Sequence, residues 1–410
     1  MRTLILFPIL AAMAGTAPAK ATTLTTIYGF QGSSDGGCPT GPLHKDSNGN
    51  LFVTAGCGGD NNNGTVVELM PPATIGANWT SKVLVMFDGA HLGGVPGGGV
   101  IPDGHGGYWG TAYNGGYKSA GTVFDLRPPT ATNLNWRLAL RWSFKGGIYG
   151  AHPNPGLVAG GPNTVFGTTN QGGKNNKGIV FKIAPPVSGN TYTKTDVWTF
   201  TGGSDGGNPA SAPVMDSGGA MYGTTTSGGA HGFGTIYKLT PSGGSYTLET
   251  LYDFTGGLDG AAPQGTLLLN GGNLYGICEG GGAGSPAIGT VWRLVAPSVM
   301  HTPGWVFQKM WGFSGGMDGT EPMAGISRVG STFYSSGYYK GAAGAGAGYG
   351  ALIALDRTGP NTWAETNLIQ FNQGNGAWPG GTLVPGPSGT LYGSTVGGIL
   401  GWGSIFQLTP

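Results

Sequence analysis

The sequence predicts an all-β fold, a seven-bladed β-propeller with four antiparallel strands per blade, and three observations carry it. An aromatic residue recurs as Phe30, Phe87, Phe144, Phe200, Phe254, Phe313 and Phe371, at intervals between 54 residues (Phe200 to Phe254) and 59 (Phe254 to Phe313). Beyond each aromatic the same glycine returns (Gly36, Gly93, Gly150, Gly206, Gly260, Gly319, Gly376), and three residues further the same proline (Pro39, Pro96, Pro153, Pro209, Pro263, Pro322, Pro379). Each repeat also offers four short runs rich in Thr, Tyr, Val and Ile, with no helical periodicity outside the N-terminus. Repetition at such a period marks an array of identical supersecondary units, and four short strands per unit mark a propeller.

Taken in order, the chain opens with a stretch that reads as a secretory signal over residues 1–19. Arg2 supplies the charge, residues 4–13 the apolar run, and Ala17-Pro18-Ala19 a small-x-small cleavage site. One propeller domain is expected over residues 20–410. Residues 22–30 match only the last strand of a repeat. In the fourth repeat, strands are expected over 212–215, 221–225, 235–239 and 246–254, separated by Asp216-Ser217-Gly218-Gly219, a long Gly-rich loop, and Pro241-Ser242-Gly243-Gly244. The last repeat stops at Pro410 after three strands. The missing strand is the one in surplus at the N-terminus, so the N-terminal strand is expected to close the last blade.

Composition narrows the function classes. Glycine (86) and proline (28) exceed a quarter of the 410 residues, yet they recur in register, as turn residues do. Charged residues are only 9% and the net charge is +1, with no basic run suited to nucleic acid. The apolar run of the N-terminus is too short to span a bilayer. A secreted or periplasmic monomer with a neutral polar surface is expected, with no membrane span after signal cleavage.

The strings Val165-Phe166-Gly167-Thr168-Thr169, Met221-Tyr222-Gly223-Thr224-Thr225 and Leu391-Tyr392-Gly393-Ser394-Thr395 are each followed by Gly-Gly and then by G-T-V/I-F/Y-K-L or a close variant. In these motifs, over nearly the whole mature chain, the sequence resembles the GloVer tandem-repeat family, the "choice-of-anchor" proteins. The resemblance implies an exported bacterial protein with a propeller-like fold, and it implies no activity. With nothing after Pro410, a cell-surface tether is not expected. A lesser likeness is to kelch propellers.

In a four-stranded blade, the loop entering the first strand and the loop joining the second to the third open on one face, where ligands favour concave, loop-built places. Asp35, Asp205, Asp259 and Asp318 occupy equivalent positions there. They read either as a carboxylate ring binding Ca²⁺ by oxygen ligation or as Asx-type turns bonding their own loops. Leu92, Tyr149 and Asn375 interrupt the ring, which favours the turns, and no cofactor is expected. Aromatic side chains gather in the same loops: Tyr113, Tyr117, Tyr149, Phe233, Tyr338, Tyr339, Trp378 and Trp402. They suit sugar stacking or packing between blades. Tyr149, Trp378, Trp402, Tyr338 and Tyr339 are the candidate binding residues. Trp79, Trp136, Trp305 and Trp363, with Tyr192 and Tyr246 at the same repeat position, read as packing. Cys38 and Cys57, both on this face of the first repeat, are expected to form a disulfide, with Cys278 free.

For catalysis the sequence offers little. The six histidines (His44, His91, His105, His152, His231, His301) fall at unrelated repeat positions, and no nucleophile elbow, phosphate loop or zinc motif occurs. Two function classes stay open. One is an exported binding or scaffold module that recognises polysaccharide or an envelope protein. The other is a glycan hydrolase or lyase that uses Glu279, Glu321 or Asp318 with a rim histidine, His91, His152 or His231.

Overall fold

A computed structural model of the protein describes residues 22–74, 77–186, 191–282, 288–298, 304–339, 348–398 and 400–410. The signal segment at 1–19 and His301 lie outside the described residues. Seven antiparallel sheets of four strands form the blades, several with a split inner strand. Blade 4 is typical: Gly207–Pro209 and Val214–Met215 on the inside, then Met221–Ser227, Thr235–Ser242 and Ser245–Asp253. In blade 7 the strand Thr23–Gly29 pairs with Ser404–Thr409, Thr23 opposite Thr409 and Gly29 opposite Ser404. Among the described residues no helix is long and apolar enough to cross a membrane.

The repeated residues explain how one blade meets the next. The boundary phenylalanines are at most 5% exposed and wedge between blades. Phe87, Phe144 and Phe200 meet Phe124, Phe181 and Tyr237 of the following blade edge to face, with centroids 5.1–5.2 Å apart. Those partners lie across the sheet from Gly110, Gly167 and Gly223, where a Cβ would run into the ring. The glycine of Tyr-Gly-Thr-Thr is therefore a space requirement. Where the opposing residue is Val67 or Ile353, the glycine is replaced by Val53 or Ser335.

A second device recurs at all seven seams. The residue before the repeated proline has a positive φ of 49–58° in every blade, although none is glycine: Cys38, Val95, His152, Asn208, Ala262, Glu321 and Trp378. Such residues are uncommon in that region. In each case its N–H donates to a carbonyl of the preceding blade at 2.7–3.0 Å, as His152 does to Ala120 and Cys38 to Trp402. The glycine after that carbonyl lies against the proline ring, as Gly121 lies against Pro153 and Gly403 against Pro39. The same glycine carbonyl accepts the N–H of the boundary phenylalanine, at 3.0–3.1 Å in all seven. A side chain on that glycine would overlap both the proline and a backbone carbonyl at the end of the neighbouring second strand, so glycine and proline repeat together.

The outer-strand aromatics cover the opposite ends of these seams. Trp79 meets Tyr392, Tyr192 meets Trp109, Tyr246 meets Phe166 and Trp305 meets Tyr222, with centroids 5.6–6.1 Å apart. They pack, as expected of their repeat position.

Candidate functional site: the mouth of the central channel

The entry loop of each blade lies on the loop between its second and third strands. In blade 1, Gly37 and Cys57 exchange backbone hydrogen bonds at 2.9 and 3.1 Å, and the Thr65 hydroxyl donates to the Asp35 carbonyl at 2.8 Å. Both loop sets therefore surround one end of the channel. At its axis, inner strands of adjacent blades approach backbone to backbone. Gly41 abuts Gly97 and Gly99, Gly98 abuts Pro155 and Gly156, Gly265 abuts Gly325, and Gly381 abuts Gly41. Only residues without side chains allow that approach, and they leave a shallow mouth.

That mouth is uneven. The residue after the repeated proline differs from blade to blade: Ala210 of blade 4 lines the mouth, and Asn154 of blade 3 is buried and donates to the Thr168 hydroxyl. Blades 1, 2 and 7 offer Thr40, Gly97 and Gly380, whereas blades 5 and 6 offer Gln264 and Met323. A cavity of about 230 Å³ opens there, with Thr40, Ser211, Gln264, Thr266, Thr382 and the Tyr338 ring among its walls, and none of its lining residues is ionised. Gln264 Nε2 donates to Glu279 Oε2 at 2.9 Å, which fixes the amide. Burial, with Tyr339 beside it, pushes the Tyr338 phenol above its ordinary value, so it remains a neutral hydroxyl. The Tyr339 ring meets Tyr338 edge to face at 4.8 Å and is 43% exposed. Across the mouth, a second cavity of about 190 Å³ is walled by Val95, Thr111 and Tyr113 and shares Thr40 and Pro155 with the first.

The other candidate rings stand apart from this cavity. Tyr149 is 53% exposed on the entry loop of blade 3, with the Lys145 ammonium 5.8 Å from its ring centroid. Trp378 lies over Gly397 and faces Tyr349 at 6.2 Å. Trp402 is 38% exposed, and its ring covers Gly32 and Gly37 of the first blade. It closes the seam between the chain ends.

The four aspartates are turned into their own loops. Asp35 accepts from the Tyr28 hydroxyl at 2.8 Å and the Gln31 N–H at 3.0 Å. Asp205 accepts from Trp198 Nε1 at 3.2 Å, from the Thr201 N–H at 3.0 Å and from the Thr201 hydroxyl. Asp318 does the same with Trp311 at 3.2 Å and with the N–H and hydroxyl of Ser314, both at 2.7 Å. For Asp259, burial raises the carboxyl, but the Thr255 hydroxyl and N–H and the Tyr252 hydroxyl outweigh it and hold the group below its ordinary value. Each of the four carboxylates accepts the N–H of the residue four positions earlier in its own loop. Among the described residues no three His, Cys, Asp or Glu side chains gather as metal ligands.

Cys38 and Cys57 are joined, with Cα atoms 5.5 Å apart. Cys278 is unpaired and buried, and burial pushes its thiol far up, so it is inert. Of the groups considered for catalysis, Asp318 is saturated by its own loop, Glu279 is held by Gln264, and His152 stacks on Tyr113 at 4.6 Å. The backbone N–H of Glu321 is committed to the seam. Gln264, Thr40, Thr266 and Thr382 escaped the sequence reading. Their signal lay in the one to three residues after each repeated proline, where the repeats diverge.

Among solved structures, three similar chains illustrate the likeness. A Trichoderma reesei carbohydrate-active enzyme of family AA12, in its calcium structure, is 12% identical, with 95% of this chain and 96% of that one covered and a TM-score of 0.45. The soluble aldose sugar dehydrogenase of Escherichia coli, in the apo form, is 12% identical over 95% of this chain and all of that one (TM-score 0.44). The endosialidase of phage phi92 is 12% identical over 94% of this chain and 68% of that one (TM-score 0.45). No curated protein matches the sequence. The Gloeobacter/Verrucomicrobia repeat matches over residues 16–194 and 135–349, most of the chain. The chain belongs to the Gloeobacter/Verrucomicrobia repeat family.

Proposed function

We propose that this protein is an exported propeller that binds neutral polysaccharide at the mouth of its central channel. One observation carries the reading: the cavity there combines hydroxyls, a carboxamide and an aromatic ring, with no ionised side chain in its walls. Hydroxyl-rich ligands without charge match such a lining, since each polar group can pair without a buried charge being left over. Tyr338 offers an apolar ring face with a neutral hydroxyl at its tip. The disulfide supports export to a secreted or periplasmic location, because such bonds persist in oxidising compartments. Binding, rather than turnover, accounts for a wall in which the carboxylate of Glu279 serves to hold Gln264. Hydrolysis of glycosides generally needs two carboxyl groups flanking the bond, roughly 5–9.5 Å apart.

A glycan array probed with the full chain and with Tyr338→Ala tests the reading. Neutral glycans should bind, with little change between low and physiological salt, and the variant should lose them. Binding restricted to anionic ligands, or unaffected by the Tyr338 substitution, would refute it. Turnover of any bound glycan would move the protein to the enzyme class.

A further inference from the structure

We infer that the channel mouth holds two sugar subsites in line, so that the ligand is an oligosaccharide lying across the axis from blade 6 to blade 2. This rests on the glycan reading above. The first subsite is the cavity against Tyr338. The second is the cavity against Tyr113, and Thr40 and Pro155 form a wall common to both. Each cavity, about 230 and 190 Å³, is smaller than the roughly 300–1,000 Å³ of a drug-sized site. Each therefore suits one sugar ring, and a ligand filling both must be longer than one unit. The second cavity, like the first, has no ionised residue among its walls.

The placement of the two tyrosines is the stronger argument. They occupy the same repeat position, at or just past the end of the second strand, where the other blades carry Gly56, Asn170, Thr226, Glu279 and Val396. Only blades 2 and 6 place an aromatic there, three blades apart one way round the ring and four the other. Two equivalent rings thus line the two cavities from blades that stand nearly opposite each other in the ring. Between them stand Gly97 and Gly380, and Thr40 and Pro155 form the wall that the two cavities share.

Tyr113 is also held as a platform. His152 lies on one face of its ring, centroids 4.6 Å apart with planes tilted by 25°, and His152 Nδ1 sits 3.2 Å from the Tyr113 carbonyl. The left-handed backbone of His152, φ 54°, aims its ring there. Tyr113 nonetheless stays 40% exposed. A ring backed on one side and open on the other is preorganised to stack.

Calorimetric titration of the full chain with gluco-oligosaccharides of one to four units, in β-1,4, β-1,3 and α-1,4 linkage, tests the inference. In at least one series affinity should rise about tenfold as the second subsite fills and then level off, the size expected of one added aromatic stack. Tyr113→Ala should lower the ratio of trisaccharide to monosaccharide affinity about tenfold, whereas Tyr338→Ala should weaken every length. Tyr113→Leu, which keeps bulk at the position, gives the same ratio if the alanine variant fails to fold. Equal affinity at all lengths, or an unchanged ratio in both Tyr113 variants, would overturn the two-subsite arrangement while leaving single-sugar binding intact. If no length in any linkage binds, the glycan reading falls with it.

Discussion

At six of the seven seams an unbroken blade leads into the next; at the seventh, between blades 7 and 1, only the N-terminal strand of blade 7 continues into blade 1, and that strand is held to the rest of its blade by pairing with Ser404–Thr409. All seven share the left-handed residue, the proline on glycine, and the phenylalanine hydrogen bond. The closing seam adds two things. Trp402 spreads over Gly32 and Gly37 with the largest ring at this position, where internal seams place Asn63 over Gly89, Lys177 over Gly202 and Phe233 over Gly256. The Cys38–Cys57 bridge also ties the entry loop of blade 1 to the loop beneath it. An internal seam that opens is still tethered by the peptide chain, so its parts stay at high local concentration. The closing seam has no such tether once the outer strand detaches. The comparison teaches that one contact set suffices where the chain is continuous, and that closure needs more.

The largest expected effect follows from removing the strand that makes the closing seam. Deletion of residues 22–30 strips Phe30 from the core and leaves Ser404–Thr409 as an unpaired edge. Aggregation or loss of the cooperative transition is expected by light scattering and circular dichroism. A truncated protein that melts at the original temperature would show that closure is dispensable. Next comes the bridge. Its cysteines are 19 residues apart, and Cys38→Ser with Cys57→Ser should lower stability by about 3 kcal/mol in the chain-entropy account. A urea midpoint at unchanged slope reads this directly. Cys278, buried in blade 5, should leave the result untouched. Trp402→Ala should follow at about 2 kcal/mol, below the loss for a fully buried tryptophan because the ring is partly exposed. Phe233→Ala, the equivalent change over Gly256 at an internal seam, should lose less. Equal losses would erase the distinction between the seams.

How far the sequence could be read follows from the same contacts. The repeat was legible because its glycine and proline are forced by backbone overlap, which no compensating side chain can relieve. The Asp-Gly turns were legible for a similar reason: Asp35, Asp205, Asp259 and Asp318 bond groups four residues earlier, a local matter. The candidate site was less so. Trp402 was open to sugar stacking or to packing between blades, and its ring rests on glycines from the other end of the chain, a contact no local pattern reveals. Gln264 was invisible because its significance depends on what stands at the matching position in six other blades. Function sits where the repeats differ, and repetition shows only where they agree.

The smallest expected effect probes the strain that all seams share. Val95 is the severest case, a β-branched residue at φ 57° in the seam between blades 1 and 2. Its N–H bond to the Asn63 carbonyl at 2.9 Å does not need the side chain, which is 37% exposed. Non-glycine residues held in this region store roughly 1–3 kcal/mol, against roughly 0.5–1 kcal/mol of extra unfolded-state freedom when glycine is introduced. Val95→Gly should therefore raise stability by about 1 kcal/mol. Ala262→Gly, at the seam between blades 4 and 5, should gain less, because alanine is not β-branched and has less strain to release. Urea denaturation of both variants checks the order. If Val95→Gly instead loses stability while its denaturant slope is unchanged, the left-handed conformation is relaxed in this fold, and the seven seams are held without stored strain.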